Sequence, residues 1–264
     1  MVVCSISADV RLLPYPDRGG KLAARTDTRM ARWQVELTGH RFDLEELLGW
    51  FTDPNCRVVA DGGAFFLEAA ELETQVGSAD VHAAAQPVVK RMNGIAKLKS
   101  SSFRDVELGA GVRELDQGEQ SRHVVLAVGT VEARAKVNAV LVKVGDSEPA
   151  PPSPGSQQTD AWMRAANGDS DAQEAVDLWS GAHDWSRLYK VYEIVRARAD
   201  VMEAGWASRG ELTLFKRTAN HQDAAGSDAR HARSRQHPPS SPMRLQEAEA
   251  LLERILSAWL DTLG

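Results

Sequence analysis

Between Lys216 and Arg244 the chain gathers six cationic side chains, Lys216, Arg217, Arg230, Arg233, Arg235 and Arg244, against Asp223 and Asp228. His221, His231 and His237 lie in the same stretch. Cations this close together create a local field that draws polyanions, even on a chain whose formal net charge is -6. The chemistry such a segment could do is phosphate contact, with Lys216, Arg217, Arg233 and Arg235 as phosphate-binding candidates and RNA as the partner. The alternative is a solvated loop whose cations pair with residues 160–184, where six acids stand against the single Arg164. No aromatic residue interleaves with the basic ones to stack on bases.

Within this segment Arg230 and His237 stand seven residues apart, almost two helical turns, so on one continuous helix both would project from the same face. The run Arg230-His231-Ala232-Arg233-Ser234-Arg235-Gln236-His237 resembles the Arg-x(4–6)-His motif of HEPN-domain ribonucleases. That resemblance covers about the last eighty residues and implies a dimerising helical domain and a metal-independent ribonuclease. It would assign Arg230 to phosphate contact and transition-state charge, and His237 to acid or base work on the RNA 2′-hydroxyl. Two departures weaken the match. The spacing is at the motif's upper limit, and Pro238-Pro239 force His237 away from helical geometry.

Other constellations are incomplete. His40, His82, His123 and His183 are scattered, without carboxylates or cysteines at metal-ligand spacing, and read as ordinary satisfied histidines. Cys4 and Cys56 form no Cys-x-x-Cys pair, which points to a reducing compartment with no disulfide framework and no structural zinc. Gly109-Ala110-Gly111 lacks the Gly-Lys-Ser/Thr of a phosphate loop, and no nucleophile elbow is present. We expect no cofactor. Charged residues punctuate every hydrophobic stretch, so no membrane span is expected, and with no secretion signal the cytoplasm is the expected location.

The elements that must position these residues fall into two groups, predicting an α+β protein. An N-terminal antiparallel or mixed sheet with helices is followed by a C-terminal all-helical domain. Residues 1–29 lack periodicity and read as a disordered tail or a mis-assigned start, with translation from Met30. Residues 30–145 form the α/β domain. Trp33–Leu37 alternate as a strand, and Asp43 and Glu46 cap a short helix through LEELLGWF. Asp61-Gly62-Gly63 turn a hairpin between RVVA and FFLEAAEL. Residues 79–99 carry a helical stripe of Val81, Ala84, Val88, Met92 and Ile95, with Pro87 as a kink or the true start. Alternation over 125–141 marks a sheet with one wet face.

Residues 146–159 are rich in Pro, Ser and Gln and read as a linker, after which 160–264 form the helical domain. Helices are expected near 160–166, 171–181, 186–200, 209–220 and 243–262. Ser208 and Glu211 form a capping box, and Ser241-Pro242 an N-terminal signal. Five of the seven tryptophans lie in this half. Core packing is their default role, with a self-association face including Trp259 as the alternative. The segments ARWQVELTGHRFDLEELLGWF, MNGIAKL, LYKVYEIV and FKRTANHQDAAGSDARHARS together resemble a family of two-domain bacterial proteins without an assigned activity. That likeness implies a bacterial cytosolic protein starting at Met30. The functional expectation is a non-enzymatic binding or sensing protein whose helical domain mediates homodimerisation or partner contact, with the RNA-cleaving or RNA-binding effector as the alternative.

Overall fold

A computed structural model describes residues 32–116, 119–124, 154–230 and 237–264. The proposed start at Met30, the alternation over 125–141, and Arg233 and Arg235 lie outside these residues. The fold is α+β, and it divides into two compact units that interleave in sequence. One unit holds 32–38, 54–86 and the described residues of 107–147; the other holds 39–53, 87–106 and those of 148–264.

The first unit is a five-stranded antiparallel sheet of order β3-β4-β1-β5-β6, built from β1 (Arg32–Thr38), β3 (Cys56–Asp61), β4 (Ala64–Ala69), β5 (Glu107–Asp116) and β6 (Glu119–Val124). Gly62 and Gly63, at φ 59° and 81°, close the β3–β4 hairpin in the left-handed region that only glycine enters cheaply. Strand pleating sends Val58, Leu67, Val35 and Val112, adjacent in register, into one buried row. The neighbouring row is polar and self-satisfied: Glu68 is 5% exposed and accepts from Gln34 at 2.7 Å and Arg57 at 2.6 Å. Arg113 pairs with Asp61 at 2.5 Å and lies 3.8 Å over the Phe66 ring. Gly109 and Gly111 are strand residues of β5, where a Cβ would strike the Glu36 side chain. The short α2 (Ala70–Glu73) and the start of α3 (Ser78–Lys99) complete this unit. Pro87 neither starts α3 nor ends it, because the helix runs through it from Ser78 to Lys99.

The second unit packs α1 (Arg41–Trp50), the remainder of α3, and α4 (Pro154–Gly168), α5 (Ser170–Trp179), α6 (Trp185–Arg198), α7 (Arg209–Ala219), α8 (Gln222–Ala225) and α9 (Leu245–Asp261). The Trp50–Asp53 stretch, including the two-residue β2 (Thr52–Asp53), belongs here for a polar reason. The buried Asp160 carboxylate accepts from the Thr52 and Asp53 amides at 3.0 and 3.2 Å and from the Thr52 hydroxyl at 2.7 Å. Asn93 mimics a strand partner, donating to Val106 O at 2.9 Å and accepting from its N–H at 3.1 Å. Gly94 lets α3 approach α5 so closely that a Cβ there would lie 2.5 Å from the Val176 carbonyl oxygen.

Three local expectations are corrected. Asp43 does not cap α1, which starts after His40. It sits one turn in, buried, and pairs with Arg104 at 2.8 Å. The helix placed at 160–166 begins at Pro154, inside the stretch read as linker, since proline suits the first helical turn. Helix α9 begins at Leu245, not Pro242, with Glu247 accepting from the Arg244 N–H at 2.9 Å. The Ser208–Glu211 capping box forms as expected. Trp162, Trp179, Trp185 and Trp259 are all buried. Trp259, 2% exposed, is in the chain's own core, because α9 spends its apolar face against α4 and α6. No helix among the described residues is long and apolar enough to cross a membrane.

Candidate functional site

The capping box fixes the start of α7, whose last turn presents Lys216 and Arg217. Lys216 lies 5.9 Å from the Tyr192 ring centre, and Arg217 donates to the His237 carbonyl at 3.3 Å. Arg230 is held by its backbone, donating to Ala219 O at 2.9 Å. Its guanidinium pairs with Glu193 at 2.8 Å and lies 4.3 Å from the centre of the Tyr189 ring. Neither Arg230 nor His237 is helical, so the expected shared helix face does not carry them; His237 is exposed in the coil before Pro238. The acidic partner of Arg230 comes from α6, not from 160–184. Arg196 and Lys216 line a cleft of about 330 Å³ with Tyr192, Asp200 and Leu212, and neither cation forms an ion pair among the described residues.

A different set of charges converges at the end of α5. Asp169 caps the start of that helix, accepting from the Asp171 and Ala172 amides. Asp184 caps α6 through the Arg187 amide at 2.7 Å. The four residues between the end of α5 and this cap form a short connection that holds His183 back over α5. Its ring centre is 4.2 Å from that of Trp179, and Nε2 lies 3.0 Å from the Trp179 carbonyl oxygen. A carbonyl oxygen only accepts, so Nε2 carries the proton. Nδ1 faces Oε1 of Glu249 at 3.5 Å.

Glu249 and Glu253, one turn apart on α9, line a cleft of about 290 Å³ with His183, Trp179, Phe103 and Lys97. Burial pushes the Glu253 carboxyl above its ordinary range, with His183 partly opposing the shift. Lys97 does not neutralise these acids: its Nζ pairs with Asp105 at 2.7 Å and also donates to the Ser180 carbonyl. The indole N–H of Trp179 is buried without an acceptor among the described residues. Ser101 also lines the cleft, but both imidazole nitrogens are engaged, which leaves none to take its hydroxyl proton.

Sequence reasoning read His183 as an ordinary histidine and passed over Glu249 and Glu253. These residues come from a helix connection and a distant terminal helix. Their one local signal is the pair of carboxylates at i and i+4 beside the apolar stripe of α9, a mildly repulsive spacing on any helix. Among the described residues no group of three His, Cys, Asp or Glu could hold a metal ion. No protein-family model matches the chain, and neither the curated proteins nor the solved structures contain a match.

Proposed function

We propose that this is a binding or sensing protein whose recognition site is the His183–Glu249–Glu253 cleft. One observation carries the reading: separate segments bring an imidazole and two carboxylates to one concavity of about 290 Å³ that Trp179 also lines. Buried polar groups normally find partners, so a desolvated carboxyl with no partner among the described residues, standing in a cleft, points to a guest. The engaged imidazole supports recognition over nucleophilic catalysis. A thermal-shift screen of the full chain against small amines, carboxylates, nucleosides and sugars tests this. At least one compound should raise the melting temperature, and the rise should vanish in Glu253→Gln. A screen with no hit, or hits indifferent to substitutions in the cleft, would count against it.

A second reading, phosphate or RNA contact at the basic segment, has one observation in favour: Lys216 shares a cleft with Arg196 of α6, and neither forms an ion pair among the described residues. The test is a filter-binding titration with total RNA, in which Lys216→Ala and Arg196→Ala should each weaken binding and flatten its salt dependence.

A further inference from the structure

The last turns of α6 and α7 wall a cleft of about 330 Å³ whose polar lining is Tyr192, Arg196, Asp200 and Lys216. Tyr192 and Arg196 stand one turn apart on α6, so their side chains leave the same face of that helix. Lys216 reaches across from α7, its Nζ 5.9 Å from the centre of the Tyr192 ring. Among the described residues neither cation has an ion pair. The one acid on the wall is committed elsewhere: Asp200 Oδ1 accepts from the Met202 and Glu203 amides at 3.0 and 3.1 Å and so closes the turn that follows α6. Tyr192 adds an observation that does not depend on charge. It is 2% exposed yet lines the cleft, and its hydroxyl has no hydrogen-bond partner among the described residues. A hydroxyl withdrawn from water without a partner is costly, and neither a guanidinium nor an ammonium can accept its proton. What the phenol and the two cations share is the need for an acceptor.

We propose that this cleft binds the phosphate group of a small phosphomonoester, whose oxygens accept from the Tyr192 hydroxyl, the Arg196 guanidinium and the Lys216 ammonium. Such a group carries three acceptor oxygens and a charge of about −1.5 to −2 at neutral pH, which suits three donors of which two are cations. The rest of the wall is apolar. Val201 and Leu212 are 2% and 3% exposed, and Met202 stands open beside them. That wall suits an organic remainder, which inorganic phosphate lacks. A nucleic-acid strand is the poorer fit, because single strands are gripped through bases stacked on open aromatic faces. Here the Tyr192 ring is buried, and Phe215, 5.7 Å from it, is buried too. The cleft volume is that of a small-molecule pocket.

The inference rests on the second reading above, that the Arg196–Lys216 cleft contacts phosphate, and the experiment lets the two fail separately. Full-length protein is titrated calorimetrically with n-butyl phosphate and phenyl phosphate, with inorganic phosphate, and with butyrate as a carboxylate control. The esters should bind at least about tenfold tighter than inorganic phosphate or butyrate. Arg196→Gln and Lys216→Gln should each weaken the esters about tenfold. Lys190→Gln, which removes an exposed cation of the same helix outside the cleft, should leave them unchanged. Tyr192→Phe keeps the ring and removes the hydroxyl. It should weaken the esters roughly three- to tenfold without lowering the urea midpoint, a split that loss of a merely structural hydrogen bond would not give. No ester binding to folded wild-type protein, equal affinity for inorganic phosphate or butyrate, or ester affinity as sensitive to Lys190→Gln as to Arg196→Gln overturns the assignment. So does ester affinity untouched by Tyr192→Phe. If total RNA then still binds in a manner sensitive to Lys216→Ala, the cleft is a contact for a nucleic-acid backbone and the second reading stands without this one. If RNA fails as well, both fall.

Discussion

The helical unit holds two charged neighbourhoods that spend their charge differently. Around Arg230 two cations of the basic segment are engaged internally: the Arg230 guanidinium is shared between Glu193 and Tyr189, and Arg217 is turned to the His237 carbonyl. Around His183 fewer charges are present, but with Glu249 turned to His183 at 3.5 Å the Glu253 carboxyl and the Trp179 indole N–H remain without a partner among the described residues. Charge density along a chain therefore says little about where a ligand goes. What matters is the charge left over once the fold has paired what it can.

The largest test of that contrast is Trp179, which belongs to both the core and the cleft. Trp179→Ala should cost about 3–5 kcal/mol, as for other buried aromatics. Trp179→Phe should cost less than about 1.5 kcal/mol, because the indole N–H it removes has no acceptor to lose. Trp162→Phe is the comparison, since it forfeits the 2.7 Å bond from Nε1 to Asp261 and should cost about 1 kcal/mol more than Trp179→Phe. Urea denaturation of the three variants measures this. If Trp179→Phe proved the costlier of the two Phe variants, Trp179 would have a partner and the contrast would collapse.

On the spent side, Arg230→Ala removes an exposed ion pair and a cation–π contact together worth about 1 kcal/mol. Arg196→Ala, with no ion pair to break, should stay within about 0.5 kcal/mol of wild type. Equal urea midpoints for the two variants would mean that the Arg230 contacts contribute nothing, and that this arginine is as available for phosphate as its sequence context suggests.

How much of this was legible in the sequence follows the range of each interaction. The Gly62–Gly63 hairpin and the Ser208–Glu211 box are closed by neighbours, and the sequence pattern shows them directly. The helices of the second half follow from apolar periodicity to within a few residues, except where α4 begins in a proline-rich stretch that reads as linker. Asp43 looked like a cap because caps are local, whereas its partner Arg104 is remote in sequence. The tie of Thr52 and Asp53 to the helical unit runs through Asp160, a carboxylate with no local motif. The cleft is the extreme case, because none of its polar residues announces the others.

Glu211 and Glu253 carry the comparison to single carboxylates. Hydrogen bonds from Ser208, with Arg254 beside it, hold the Glu211 carboxyl down to about 2. Its folded value is thus below its unfolded one, so its contribution is complete above the unfolded range and is lost as pH falls toward about 2. The side chain is 42% exposed, and solvent screening reduces the expected cost of Glu211→Gln at neutral pH to about 1 kcal/mol. That cost should shrink steadily on acidification.

Glu253 should behave with the opposite sign. Burial raises its folded value above the unfolded one, so the folded chain binds the proton more tightly. The ionised carboxylate therefore costs stability at every pH above the folded value, and the cost disappears below the unfolded range. In the ligand-free protein Glu253→Gln should raise stability at neutral pH, with no gain near pH 4. Urea midpoints at the two pH values decide it. A loss of stability at neutral pH would mean that the attraction of His183 outweighs desolvation, leaving the cleft already neutralised from within. A gain would leave Glu253 as a charge the fold tolerates without using.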